Sequence, residues 1–583
     1  MEEVWKNVDV LLHIYRMLDL DDQIRLSRVN VDLKAAFEMF IFHKEDYSIL
    51  SLNVNQGCFV VHNGSSHHRW WLKHHELMEF VSYHCLAVET FFQRNGTILD
   101  VRPFRHLTSL SYSNCIINRR HLKLFASLPL EKLDIVRCTD EFGRDIMPGN
   151  AWNVEYLMPM SKLRSLKVML TSDFRKHRLS FGDFSRLVTA TKLENISLDC
   201  SIVLERLLGN EMDNNSSDAD VVALKHLDIG LGIGQNYSLL PYGKLFSSLV
   251  TLTICMRDPP INNEILMDLN KICGNLEELH FKWSTFQHIE DFCVPPKLKG
   301  FSLSSCNGLN ADNLRQILNL SHLKKFNTTE SVEQDDAEMV TISSSLEHLF
   351  VDEDYWYSNV VMAFGGSENL KHLSWLASGF VEYSEADAAA LRKCTHLEEL
   401  NVKVIDVPSN IILKLNLLKK LSIKLYTPSI PWCHIEEILK HSNLQELTLD
   451  GYFEYDDPPV DVNASKMGFA IGVKLIQISD LMFKIGLHFW LDLLKQNIQL
   501  QLIVSKLTAD KPFIECMRTM INHEKFPHEV KTLKICCSLI KCRDLKQNFE
   551  ATMKRVIRDL KHTLDYNQDE FQIIFDRNLG EML

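Results

Sequence analysis

Glycine and proline are scarce in this chain, 22 and 16 among 583 residues, which excludes collagen-like and linker-dominated architectures. Positive charge is also short: 63 Lys and Arg against 76 Asp and Glu leave a net charge of −13, so a phosphate-tracking nucleic-acid binder is not expected. No long apolar run is uninterrupted. The stretch from Ala470 to Leu494 comes nearest, and Lys474, Asp480, Lys484 and Asp492 break it. At about 2.5–3.5 kcal/mol per charge near mid-bilayer, that stretch is not expected to span a membrane. The opening Met-Glu-Glu-Val-Trp is acidic where a secretory leader needs a basic start. The 15 cysteines are odd in number and scattered, unlike a disulfide framework. Sequons at Asn63, Asn95 and Asn463 would need a secretory route to matter. The expectation is a reduced, cytoplasmic or nuclear protein.

Chemistry-bearing motifs are equally thin. There is no G-x-S-x-G elbow, H-E-x-x-H pair or kinase signature. GLGIG at Gly230–Gly234 lacks the spacing of a dinucleotide loop and is followed by no P-loop Lys-Ser/Thr; it reads as glycine easing a bend. His62, His67, His68, His74, His75 and His84 cluster beside Cys85, yet the doublets do not have zinc spacing. They read as a polar linker with a helix around Trp71 to Phe80. Cys536, Cys537 and Cys542 have no matched partner pair nearby. No catalytic residue, metal or cofactor is expected.

The chain does contain a repeat. With 46% hydrophobic residues it can bury a large core, and the apolar positions recur. From LTSLSYSNC at Leu107 and LEKLDIVRC at Leu130, through LEELHFKWS at Leu276 and LEHLFVDED at Leu346, to LQELTLDGY at Leu444, an LxxLxL core occurs fourteen times. The mean period is about 26 residues, within the leucine-rich-repeat range. Weaker echoes start near Val473, Leu500 and Val530. The last two leucines of each core are two apart and so share one face of a strand, while the residues between them, such as His280 or Ser422, face outward. One such strand cannot bury its apolar face alone, but stacked copies make a continuous core behind a parallel sheet. Leu309, Leu314, Ile317, Leu318 and Leu320 then predict a helix between strands. The polar run Glu211–Asp220 reads as a mobile loop.

These repeats resemble the cysteine-containing class of leucine-rich repeats. Cys115, Cys138 and Cys306 take the ninth repeat position, where a small group can satisfy backbone at a bend; Cys273 and Cys394 precede the next strand in that class's C-x-x-L junction. All five are expected to be packed rather than reactive.

The first forty residues are different. VDVLLHIYRML, Val8 to Leu18, is apolar nearly all round, which predicts burial on more than one side. A module of this size cannot supply two buried faces itself, so a partner surface is expected. Asp21 or Asp22 starts a second helix with Ile24, Leu26 and Val29, and a third offers Leu33, Ala36, Phe37, Phe40 and Ile41. The segment resembles an F-box, whose pattern is roughly LPxExLxxIFxxLxxxDLxxxxxVCxxW. Asp9, Leu11, Ile14-Tyr15, Leu18, Asp22, Val29 and Leu33 fall on its positions, while Asn7 stands for the proline, Gln23 for a leucine and Asn30 for the cysteine. The resemblance covers about 35 of the 583 residues. Together with the repeats it implies an F-box/leucine-rich-repeat substrate receptor of a Skp-cullin-F-box ubiquitin ligase.

The expected architecture is therefore α/β: a leucine-rich-repeat solenoid, a curved parallel sheet with outer helices, preceded by a small helical module. Its parts are residues 1–42 (F-box-like), 43–105 (linker or cap), 106–540 (array) and 541–583 (C-terminal cap, with an amphipathic helix from Asp544 to Leu564). The resemblance implies that Val8, Leu11, Leu12, Ile14, Tyr15, Leu18 and Val29 hold a Skp-type adaptor and, through it, a cullin. Outward strand positions, among them Lys282, Trp283, Phe350, Asp352, Glu353 and Lys403, are the candidate contacts for a protein substrate. The competing expectation is an interaction scaffold whose N-terminal helices only cap the array.

Overall fold

The structure is a computed structural model. It describes residues 7–42 except 19, then 49–55, 58–63, 69–72, 88–146 except 103 and 105, 154–170, 177–204, 224–233 and 238–329 except 241, 242 and 258. Farther on it describes 345–351, 368–375, 391–403, 412–425, 437–451 except 440, 473–479, 499–504 and 533–537. Two compact units divide the chain: Met1–Leu298 with Ser305–Gly308, and Lys299–Ser304 with Leu309–Leu583.

The first unit opens with three helices, α1 (Val8–Met17), α2 (Leu20–Ser27) and α3 (Val31–Phe42). Strands β1 (Ile49–Asn55), β2 (Cys58–Asn63) and β3 (Arg69–Leu72) follow as an antiparallel meander. From β1 onward the sheet is parallel: β1 pairs with β4 (Thr90–Thr97), β4 with β5 (Ser109–Ile116), β5 with β6 (Lys132–Val136), and β6 with β7 (Ser165–Met169). Both β7 and the short β8 (Arg178–Ser180) lie along β9 (Asn195–Leu204), which leads to β10 (His226–Ile233), β11 (Thr251–Cys255) and β12 (Glu278–Lys282). Helices α4 (Arg119–Ala126), α5 (Phe181–Thr191), α6 (Gly243–Phe246) and α7 (Asn263–Ile272) fill four of the crossovers.

In the second unit β13 (Gly300–Ser304) is followed by α8 (Ala311–Leu318), the helix expected from Leu314, Ile317 and Leu318. Strands β14 (Lys325–Thr328), β15 (His348–Val351), β16 (His372–Trp375), β17 (Glu399–Lys403), β18 (Lys420–Leu425) and β19 (Glu446–Gly451) then pair in parallel, each with the next. So do β20 (Leu475–Ser479), β21 (Gln499–Val504) and β22 (Leu533–Cys537), the three weaker echoes of the sequence. Each unit is a leucine-rich-repeat solenoid.

Register follows from the repeat. Leu252 and Ile254 of β11 stand beside Leu279 and Phe281 of β12, and Leu421 and Ile423 of β18 beside Leu447 and Leu449 of β19. All eight are buried. Each such side chain stabilises the stack by about 1.5–3 kcal/mol. A one-residue slip would turn them all to solvent, which fixes the pairing. The LxxLxL lead-in is a tight turn: Leu276 N–H donates to Cys273 O, Leu397 N–H to Cys394 O and Leu444 N–H to His441 O.

Residues 43–105, expected as a linker or cap, carry strands, and β1 and β4 within them already pair in parallel with each other and with β5. In β4 the repeat is disguised: Val88 and Phe91 take the leucine positions, and the third is Gln93, buried and held by bonds to Thr97 O and from Leu99 N–H. Trp71 belongs to strand β3, and residues 73–80 of the helix expected around it lie outside the described residues. The acidic loop 211–220 and the C-terminal helix 544–564 lie outside the described residues. No described helix is long and apolar enough to cross a membrane.

Candidate interaction surfaces

Helix α1 starts where Asn7 caps it, its side-chain oxygen accepting from the N–H groups of Asp9 and Val10 at 3.1 and 3.3 Å. Leu11 and Tyr15, one turn apart, face inward and are 1% and 0% exposed. The Tyr15 ring lies 5.3 Å from that of Phe37 in α3, and its hydroxyl donates to Leu33 O at 2.9 Å. Gln23 of α2 is buried and donates to Tyr15 O and Leu18 O at 2.8 and 2.9 Å, capping the end of α1. Asn30 caps α3 through Leu33 N–H at 2.8 Å. The three polar residues that depart from the F-box pattern, Asn7, Gln23 and Asn30, thus all close helix ends.

This settles which residues of the expected adaptor surface face outward. Leu11 and Tyr15 do not: they form the module's own core. Leu12, Ile14 and Leu18 are half-buried, while Val8 and Val29 are exposed at 43% and 68%. Three further apolar residues, Val10, Met17 and Val31, which were not among the candidates, are exposed at 38%, 73% and 82%. Val10, Ile14 and Met17 are spaced four and three apart, so they share one helical face, which lies about a third of a turn round from Leu11 and Tyr15. Helical periodicity anchored on the buried Tyr15 would have found them.

On the sheets, outward positions form columns. In β12, Glu278, His280 and Lys282 alternate with buried Leu279 and Phe281, and Lys282 Nζ is 3.2 Å from Asp228 on β10. Trp283 follows at the bend, with φ 45° and 48% exposure, rather than on the strand. In the second unit Phe350 projects from β15 into a hollow of ≈ 460 Å³ shared with Asn327, Ser374, Asn401, Ser422 and Thr448. Beside them His348 stacks on His372 at 4.2 Å, His372 reaches Glu399 at 2.9 Å, and Lys420 lies between Glu399 and Glu446 at 3.6 and 3.3 Å. These charges satisfy one another. Burial, then the charge of His372, holds His348 below the usual imidazole range. Lys403 is placed on β17 opposite Lys424. Asp352 and Glu353 lie outside the described residues. Lys282 and Trp283 thus lie in the first unit, and Phe350 and Lys403 in the second.

Cys115, Cys138, Cys200, Cys255, Cys273, Cys306 and Cys394 are buried. Burial pushes the Cys255 and Cys273 thiols up to about 12 and Cys394 to about 11, so none is a nucleophilic thiolate at neutral pH. Among the described residues no three His, Cys, Asp or Glu groups converge as metal ligands.

No family model and no curated protein matches this chain. Among solved structures it is similar to that of the TLR13–ssRNA13 complex, at 14% identity and a TM-score of 0.41, covering 81% of this chain and 71% of that one. It is also similar to the structure of the Drosophila Toll–Spatzle complex, at 9% identity and a TM-score of 0.30, covering 84% and 73%.

Proposed function

We propose that the protein is a non-catalytic recognition subunit: its repeats hold a protein target, and its N-terminal helices dock on a Skp-type adaptor and so on a cullin-based ubiquitin ligase. The observation that carries this reading is the outward face of α1. Val10 and Met17 are exposed and Ile14 half-exposed, although the same helix already buries Leu11 and Tyr15 in its own core. Val29, between α2 and α3, and Val31, at the start of α3, add exposed apolar surface. A surface of this kind on a small module is stabilised by a partner. The polar outward columns of the repeats support a protein partner there. The chain performs no bond chemistry of its own; tethering raises the effective concentration of the target's lysines near a ubiquitin-charged enzyme.

The test is reconstitution of the full chain with a purified Skp-type adaptor and cullin. The double variant Ile14→Glu/Met17→Glu is expected to lose co-elution with the adaptor while keeping the parent melting temperature. Leu11→Glu is the contrasting control and should unfold the helical module itself. Retained adaptor binding by the double variant, or none by the parent, makes the protein an interaction scaffold whose helices only cap the array.

A further inference from the structure

We propose that the first unit carries a second interaction site, away from the outward strand faces, that takes an acidic protein segment with an apolar side chain. It lies at the end of the sheet where β5 and β6 run into their connections. A cleft of ≈ 590 Å³ opens there between the first turn of α4 and the turn Asp140–Arg144. Its floor is apolar and buried, made by Ile117, Leu122 and Ile146. One wall is helical and carries Arg119 and Arg120, both exposed. Neither has a carboxylate partner among the described residues, whereas most cations on the repeat edges are paired.

The opposite wall is unusually well braced for a loop. Asp140 is buried and accepts from Phe142 N–H and Arg144 N–H, both at 2.9 Å, and from Arg144 Nε at 2.7 Å. Gly143, at φ +75°, closes the turn, and Asp145 anchors it to His177 at 3.3 Å. This bracing presents Phe142, 74% exposed, with the Arg144 guanidinium over its ring at 5.2 Å. Covering that ring together with the apolar floor would remove both from water, which is favourable. Rigid aromatics flanked by arginines are the side chains that dominate protein interfaces, because little entropy is lost on docking.

The charge decides the partner. Arg144 is neutralised by Asp140, and the remaining free groups are two guanidiniums against the single carboxylate of Glu141. An acidic segment can bridge Arg119 and Arg120 while an apolar residue enters over Ile117 and Leu122; a basic segment would be repelled. The N-terminal N–H groups of α4 are not the ligand-binding element, since Asn118 already caps those of Arg120 and His121.

The experiment measures fluorescence anisotropy of a labelled peptide of alternating Glu and Leu against the full chain, with the Gln–Leu and Lys–Leu peptides as comparators. The expected result is about tenfold tighter binding of the Glu–Leu peptide, weakening with salt. Arg119→Gln/Arg120→Gln should abolish that preference, and Phe142→Ser should weaken the Glu–Leu and Gln–Leu peptides alike. Circular dichroism should show both variants folded. The proposal fails if the three peptides bind equally, or if either folded variant binds as the parent does. Adaptor co-elution should be unaffected by these substitutions, which separates this site from the α1 surface.

Discussion

Small side chains at one repeat position carry the bends after the strands. Asn114, Arg137, Trp283 and Ser305 all adopt left-handed backbone, φ 45–53°. The next residue in each case turns inward: Cys115 toward Gln93 O, Cys138 toward Tyr112 O, Ser284 toward Ile254 O and Cys306 toward Phe281 O, at 3.3–3.5 Å. Ser284 also accepts Met256 N–H at 3.0 Å. A thiol and a hydroxyl therefore do the same work, and the sequence showed it through its ninth-position cysteines. The bond rather than the volume matters, so Cys306→Ser should melt within a degree or so of the parent. Cys306→Val keeps the bulk but leaves the backbone unmatched, and should cost about 1–3 kcal/mol in chemical denaturation. Equal stability of the two variants would refute the role.

The strands were legible from the LxxLxL spacing because inward positions have period two, and the burial of β12 and β15 follows it. What the spacing concealed are places where the repeat admits a different residue or an extra one. Gln93 replaces a leucine by bonding its own loop, which hid β4. Between Leu198 and Ser201, β9 bulges opposite Ile229 and Gly230; a Cβ on Gly230 would lie 2.8 Å from Cys200 O. Glycine there permits a close approach, beyond easing a bend. Gly308 is more constrained still. Its φ is +86° and a Cβ would lie 2.0 Å from Phe286 O, which sits in the short ladder where Phe286 N–H meets Asn307 O. Gly308→Ala is expected to destabilise by about 2–4 kcal/mol, combining left-handed strain with a backbone collision. Gly143→Ala, left-handed but open, should cost only about 1 kcal/mol. Thermal melts of the pair separate collision from conformation; equal losses would mean that the contact relaxes freely. The exposed apolar face of α1 was half legible for a related reason: apolarity all round the helix announced two burials, but only packing shows which face is already used.

At the edge where the strands begin, opposite charges from successive repeats meet in several runs among the described residues. Glu194 lies between Arg164 and Lys225, Glu347 between Lys324 and Lys371, and Glu398 meets Lys419. Lys324 and Lys371 hold the Glu347 carboxyl down to about 2, and the cationic neighbours of Glu194 and Glu398 lower them too. A carboxylate lowered on folding adds stability above its unfolded value and loses it as pH falls toward the folded one. Histidines act in the same direction. Burial is the leading cause that lowers His121, His280, His348 and His441. The unfolded chain then takes up protons first, so stability falls once pH drops below about 6.5. The two sets act in sequence, imidazoles first and carboxylates below about pH 4.5. Melting temperature should therefore decline from about pH 7 through pH 5 and steepen toward pH 4. In high salt the later, carboxylate part should shrink the more, because exposed ion pairs are screened while the burial that lowers the imidazoles is not. His441 offers the sharpest check, since its ring accepts Asn443 N–H at 3.3 Å while the other nitrogen faces Leu415 O at 3.0 Å. That arrangement requires the neutral ring. His441→Gln can donate to Leu415 O without titrating, and should flatten the decline between about pH 6.5 and 5 while leaving the acid limb unchanged; an unaltered profile would assign that decline to the other imidazoles.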